Sequence, residues 1–227
     1  MRIIAFGDIH MATHMVAGIP DVESADLMIA TGDLTNYGKQ KDAKRVLDDL
    51  LGYNRNLLAL IGNLDNFEIN DYLEGLGLNL HRQARLLERK ICLLGAGGSN
   101  HTPFGTPAEF SENELTDVLT DAHQEGQDFI SLTLPDARSG IPVILISHVP
   151  PYNTKVDMLR NGKHVGSSAV RSYIEQHQPD VCITGHIHEA RGEDHIGKTH
   201  IVNPGALIQG GWVEITYIQS TLQATLH

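Results

Sequence analysis

The chain has 227 residues, 41% of them hydrophobic and 20% charged, enough to bury one substantial core, so residues 1–227 are expected to form a single domain. Its formal net charge of −11 argues against an extended nucleic-acid partner, because a duplex-binding face needs clustered Lys and Arg; a small phosphorylated substrate is compatible with it. No stretch is apolar for long enough to cross a bilayer, the opening Met1–Phe6 run is too short for a secretory leader, and Cys92 and Cys182 lie inside apolar runs as core thiols do, so a cytoplasmic protein outside membranes is expected.

In chain order, residues 2–6 and 27–31 read as buried strands and 57–61 (Leu-Leu-Ala-Leu-Ile) as a third. Between the second and third, Ala43, Val46, Leu47, Leu50 and Leu51 recur at helical spacing opposite a charged face. That strand-helix-strand unit predicts an α/β protein with a largely parallel sheet. Residues 86–96 resume a strand pattern. Ser111 with Glu114 forms a capping box that opens a helix burying Leu115, Val118, Leu119 and Ala122. A strand at 142–147, a helix at 168–177 and a strand at 180–184 follow, and from there to His227 alternating strands with Gly-rich turns predict a second, antiparallel sheet region.

Five of these apolar runs end on a residue able to bind a metal: Phe6-Gly7-Asp8, Thr31-Gly32-Asp33, Ile61-Gly62-Asn63, Ile146-Ser147-His148 and Thr184-Gly185-His186. Asp, Asn and His are costly at the ends of packed strands unless something binds their lone pairs. Loops that follow parallel strands gather at one sheet edge, so the five are expected to converge. Singly, each fits a turn or cap; jointly, they predict a metal centre.

The fuller motifs are Gly-Asp-Ile-His (Asp8, His10), Gly-Asp-Leu-Thr (Asp33), Gly-Asn-Leu-Asp (Asn63), Ser-His-Val-Pro-Pro (His148) and Gly-His-Ile-His (His186, His188). In this order they resemble the calcineurin-like metallophosphoesterase superfamily. The stretches at 97–107 and 186–192 resemble a prokaryotic branch grouped with cyclic-nucleotide-phosphodiesterase-related phosphoesterases. The resemblance implies a four-layer αββα sandwich, two mixed β-sheets flanked by helices. It implies two divalent transition metal ions: Asp8, His10, Asp33 and His188 on one, Asp33, Asn63, His148 and His186 on the other, with Asp33 bridging. The mixed oxygen and nitrogen donors suit Mn, Fe or Zn better than Mg or Ca. Hydrolysis by a hydroxide shared between the metals is the implied reaction.

One position departs from the superfamily. Most members carry a leaving-group histidine after the asparagine of the third motif, where this chain has Leu64. Leucine can neither donate a proton nor stabilise phosphoryl charge, which favours a phosphodiester whose leaving group departs readily or a substitute acid, with His164 and Arg191 as candidates. A phosphomonoesterase and a non-catalytic scaffold of the same fold are the alternatives, the second opposed by the seven intact ligand positions. Asp65 reads as the cap of a helix starting near Phe67, Asn203-Pro204-Gly205 as a turn, and Lys155, Lys163 and Arg171 as solvated cations. His101 lies in a Pro- and Gly-rich loop that reads equally as a cover for the site and as ordinary packing. Specificity is expected to reside in the loops 99–107 and 152–166, and neither the natural substrate nor the oligomeric state is legible.

Overall fold

The computed structural model describes residues 1–133 and 140–227. Two mixed sheets stack face to face with helices outside each, giving the αββα order. The first sheet runs β13-β12-β1-β2-β3, from β1 (Arg2–Phe6), β2 (Leu27–Ala30), β3 (Leu57–Ala59), β12 (Val213–Ile218) and β13 (Thr221–Leu226), with β1, β2 and β3 parallel. The second runs β10-β11-β9-β8-β5-β4, from β4 (Ala84–Leu87), β5 (Ile91–Ala96), β8 (Val143–Ser147), β9 (Val181–Ile183), β10 (Gly192–Ile196) and β11 (Thr199–Asn203). A two-stranded pair, β6 (Ser99–Asn100) and β7 (Glu109–Phe110), stands apart.

Strand alternation divides the core into three layers. Ile3, Ala5 and Ile29 of the first sheet meet Leu93, Ile144, Ile146 and Ile183 of the second between the sheets. On the outer face of the first sheet, Ile4, Phe6 and Met28 pack on α1 (Gln40–Tyr53), through Ala43, Val46, Leu47 and Leu50, and on α2 (Glu68–Gly75), through Ile69 and Leu73. On the outer face of the second, Cys92, Leu94, Leu145 and Cys182 pack on α3 (Glu112–Thr133) and α4 (Ser168–His177). The Ser111–Glu114 box opens α3 as expected: Glu114 Oε2 accepts from the Ser111 amide at 2.7 Å, and Ser111 Oγ accepts from the Glu114 amide at 3.2 Å. No helix among the described residues is long and apolar enough to cross a membrane.

Three expectations need correction. The pattern at 86–96 is two antiparallel strands, because Glu88 and Arg89 take left-handed φ of 45° and 59° and turn β4 back along β5. The C-terminal strands build no sheet of their own: β10–β11 extends the second sheet, with β11 parallel to β9, while β12–β13 joins the first by pairing with β1. The strands expected to reach 31, 61 and 184 stop earlier, at Ala30, Ala59 and Ile183, where the chain leaves the ladder for the site.

His81 locks the junction between the sheets. Its Nδ1 accepts from the Gly97 amide at 2.9 Å, its ring stacks on Phe110 with centroids 5.6 Å apart, and the Gly98 amide donates to Ile61 O at 2.8 Å. Burial, then the nearby Arg82, lowers its pKa to about 4, so it is neutral in the fold. An unfolded histidine takes up its proton near pH 6.5; stability from the neutral form is therefore complete above that pH and lost as pH falls toward 4, by about 2 kcal/mol at pH 5. Urea unfolding of wild type and His81→Asn from pH 7.5 to 4.5 checks this: the wild-type curve should fall more steeply, by about one proton per chain.

Candidate metal centre

The C-terminal ends of β1, β2 and β3 in one sheet and of β8 and β9 in the other open onto a common edge, and all seven residues marked in the sequence come together there. His188 Nε2 lies 3.0 Å from Asp8 Oδ1 and 3.3 Å from His10 Nε2. Across the site, Asn63 Oδ1 lies 3.1 Å from His148 Nε2 and 2.7 Å from His186 Nδ1. Asp33 stands between the two groups, with Oδ2 3.9 Å from His10 Nε2 and Oδ1 3.6 Å from His148 Nε2. Among the described residues, two sets of His and carboxylate ligand atoms lie close enough to hold an ion, Asp8/His10/His188 and Asp8/Asp33/His148. Asp8 thus approaches both.

Backbone strain and close approach mark the place. Asp8, His10, Asp33 and His186 all take left-handed φ, between 47° and 65°, which side chains other than glycine adopt at a cost the surroundings must impose. Gly62 allows the third loop to lie against the second, since a Cβ there would sit 2.1 Å from the Asp33 amide nitrogen. Gly32, at φ 110°, does the same for His148, whose Nδ1 a Cβ would meet at 2.4 Å.

Supporting hydrogen bonds orient the donors. Thr31 O lies 2.9 Å from His148 Nδ1, so the proton sits on Nδ1 and the Nε2 lone pair faces the site. Asn63 Nδ2 donates to Thr106 Oγ1 at 3.0 Å and Thr106 Oγ1 donates to Glu109 Oε1 at 2.7 Å, a relay that turns the amide oxygen of Asn63 toward the imidazoles. Asp65 does not cap the helix near Phe67. It is fully buried: Oδ2 accepts from the Leu34 amide at 3.0 Å and the Gly62 amide at 2.9 Å, and Oδ1 accepts from the amide and hydroxyl of Thr35, each at 2.8 Å. It ties the Asp33 loop to the Asn63 loop.

The electrostatics fit a cation. Burial, then the charges of Asp8 and Asp65, pushes Asp33 well above the usual carboxylate range. Burial would also raise Asp8, but the hydrogen bond from His188 and the surrounding imidazoles hold it low. No Lys or Arg pairs with these acids among the described residues, and His10 Nδ1 is buried without a hydrogen-bond partner. Burial lowers His10 and His148, and lowers His186 to about 3, leaving neutral imidazoles with free lone pairs; His188 is raised, chiefly by its bond to Asp8. Buried carboxylates with neutral imidazoles and an amide oxygen are a donor set for divalent transition ions.

A cavity of about 1180 Å³ opens beside these residues, with His10, Asp33, Asn63, His186 and His188 in its lining. Its walls come from both loops expected to set specificity, 99–107 and 152–166, and include His101, His164, Lys163, Arg191 and Leu64. Tyr37, Phe104 and Tyr152 line it with exposures of 56%, 80% and 44%. Arg191 is anchored by donating from Nε to Pro204 O at 3.1 Å, so the Asn203-Pro204-Gly205 turn steadies a cavity residue. Arg171 is no free cation: Nε donates to Glu175 at 2.8 Å and Nη1 to Tyr152 O at 2.9 Å. Thr106, Glu109 and Asp157, all used by the site or its wall, escaped sequence reasoning. Asp65 stood inside Gly-Asn-Leu-Asp and Thr106 inside the stretch 97–107, but neither motif gave its role.

Residues 1–190 match the model of the calcineurin-like phosphoesterase family. The uncharacterized protein MJ1162 of Methanocaldococcus jannaschii is 35% identical over 209 residues, 90% of this chain and 88% of its own. The crystal structure of TT1561 from Thermus thermophilus is similar with a TM-score of 0.67 at 18% identity, over 99% of this chain and 97% of that one. A dimetal phosphatase from Danio rerio gives a TM-score of 0.58 at 11% identity, over 100% and 95% of the two chains.

Proposed function

The chain belongs to the calcineurin-like phosphoesterase family and is a metal-dependent phosphoesterase; from that premise we propose that it hydrolyses a small nucleotide-like phosphodiester at a dinuclear centre. The observation that carries this reading is Asp33, whose two oxygens face different imidazoles and are set to bridge two ions. Asp8, His10 and His188 would hold one, and Asn63, His148 and His186 the other. Mn, Fe or Zn suits these donors. Two such ions, when bound, acidify a water and neutralise the phosphoryl oxygens. The protein's own contribution is to hold seven donors rigidly, through the Thr31, Thr106 and Asp65 hydrogen bonds, and to offer the cavity beside them.

The cavity supports the diester. At about 1180 Å³ it far exceeds a bare phosphate, and its exposed aromatic rings suit a planar or apolar substituent on the ester. Leu64 adds apolar wall to the cavity. Residues 1–227 act as one unit in this reading, supported by the shared core between the sheets. A cytoplasmic setting is supported by the free, buried thiols of Cys92 and Cys182.

Two measurements test this reading. With Mn²⁺ added, kcat/KM on bis-p-nitrophenyl phosphate should exceed that on p-nitrophenyl phosphate by about tenfold or more, a difference of roughly 1.4 kcal/mol in barrier. A preference for the monoester would replace the diester reading. In a single turnover in H₂¹⁸O, the label should enter the phosphate product, as attack by water requires; an unlabelled product would point to a covalent phospho-enzyme instead.

A further inference from the structure

Leu64 leaves open which group protonates the departing alcohol, and the cavity wall contains a built arrangement for that task. After Asp157 the chain makes a tight hairpin in which Gly162 takes φ 83° and its amide donates to Leu159 O at 2.8 Å, and which returns so that His164 pairs with Met158. His164 Nδ1 then lies 2.7 Å from Asp157 Oδ1. Asp157 is fully buried and cannot swing, because its oxygens also accept from the amides of Asn153, Thr154 and Gly166 at 3.0, 2.8 and 2.9 Å. A carboxylate partner keeps a proton on Nδ1, and Nε2, which has no hydrogen-bond partner among the described residues, is left to exchange the second proton. The hairpin lines the same cavity as Asp33, Asn63 and His188, and it is tied there by the Arg160 amide, which donates to Glu189 Oε1 at 2.8 Å, next to His188, and by Asn100 Nδ2, which donates to Gly166 O at 3.2 Å.

We infer that His164 is the proton donor to the leaving group and that Asp157 is its positioning residue. The inference rests on the phosphodiesterase reading. As the water oxygen joins phosphorus, the bond from phosphorus to the leaving oxygen breaks and its electron pair goes to that oxygen. His164 enters this step as imidazolium, with Nδ1–H on Asp157, and its Nε2 proton follows the electron pair to that oxygen, releasing a neutral alcohol. Neutral imidazole is left with Nδ1–H still on Asp157, and it regains its Nε2 proton from solvent, which has taken up the proton lost by the attacking water. A histidine–carboxylate pair from one loop thus takes over what position 64 cannot do.

The test compares wild type, His164→Gln and Asp157→Asn, all with Mn²⁺, on phosphodiesters whose leaving groups run from p-nitrophenol through phenol to a nucleoside hydroxyl. For His164→Gln, kcat/KM should fall about 10²–10³-fold on the poorest leaving group and at least tenfold less severely on p-nitrophenol, so the plot against leaving-group pKa steepens. Asp157→Asn should steepen it in the same direction by a smaller amount. A parallel loss across the whole series, with the wild type active, would overturn the donor role and leave the phosphodiesterase reading intact. A wild type that binds metal but hydrolyses no diester would overturn both. The metal-free protein supplies a readout without turnover: ¹H–¹⁵N spectra should show a downfield, exchange-protected Nδ1 proton on His164 that disappears in Asp157→Asn. Its absence from the wild type would overturn the positioning by Asp157.

Discussion

In the proposed dinuclear centre, Asp33→Asn is expected to lower kcat/KM by about 10³-fold or more, since losing the proposed bridging carboxylate forfeits several kcal/mol of charge stabilisation, and to cut bound metal from the proposed two ions per chain to one or none. Its effect on the metal-free fold should have the opposite sign. Burial and the charges of Asp8 and Asp65 push the Asp33 carboxyl upward, so removing its charge relieves repulsion. The Leu64 amide, which donates to Asp33 Oδ1 at 2.8 Å, keeps an acceptor in the asparagine. Metal-free Asp33→Asn should therefore unfold at the same urea concentration as metal-free wild type or a higher one, while losing the wild type's stabilisation by added Mn²⁺. Lower metal-free stability would show that Asp33 is held by contacts other than a cation.

Asp65→Ala should cost about 3–5 kcal/mol of stability. Three buried amides, from Leu34, Thr35 and Gly62, and the Thr35 hydroxyl would lose their acceptor together, and each stranded buried donor costs about 1–3 kcal/mol before the loops relax. Because these donors sit on the two loops bearing Asp33 and Asn63, metal affinity should fall as well, by about 10–100-fold, although Asp65 is not a proposed ligand. Urea denaturation with calorimetric Mn²⁺ titration separates the effects. Asp65→Asn keeps the shape and should lose less of both. A helix cap alone would cost only about 1 kcal/mol and leave metal binding untouched.

The difference between those two accounts of Asp65 shows what the chain reveals locally and what it hides. Asp8, Asp33, Asn63, His148 and His186 stand out because each follows a short apolar run, and strand periodicity together with parallel topology brings such ends to one edge. Asp65 follows the same run two residues later; apart from the Gly62 amide, its partners on Leu34 and Thr35 lie about thirty residues away in the sequence, beyond any local pattern. Thr106 and Glu109 reach Asn63 from across the fold, and Asp157 finds His164 through a hairpin that only Asn161-Gly162 hints at. The strand pattern at 86–96 misled for a related reason, since Glu88 and Arg89 turn the chain without the glycine or asparagine that usually marks a left-handed turn. The alternating C-terminal strands were legible as strands. Their division between the sheets depends on β12 pairing with β1 across the whole chain, which no neighbouring residue encodes.

Anomalous diffraction from crystals grown with Mn²⁺ addresses the metal centre most directly. It should reveal two peaks about 3.5–4 Å apart, both in contact with Asp33, one bounded by Asp8, His10 and His188 and the other by Asn63, His148 and His186. A single peak, or peaks that do not touch Asp33, would contradict the dinuclear assignment.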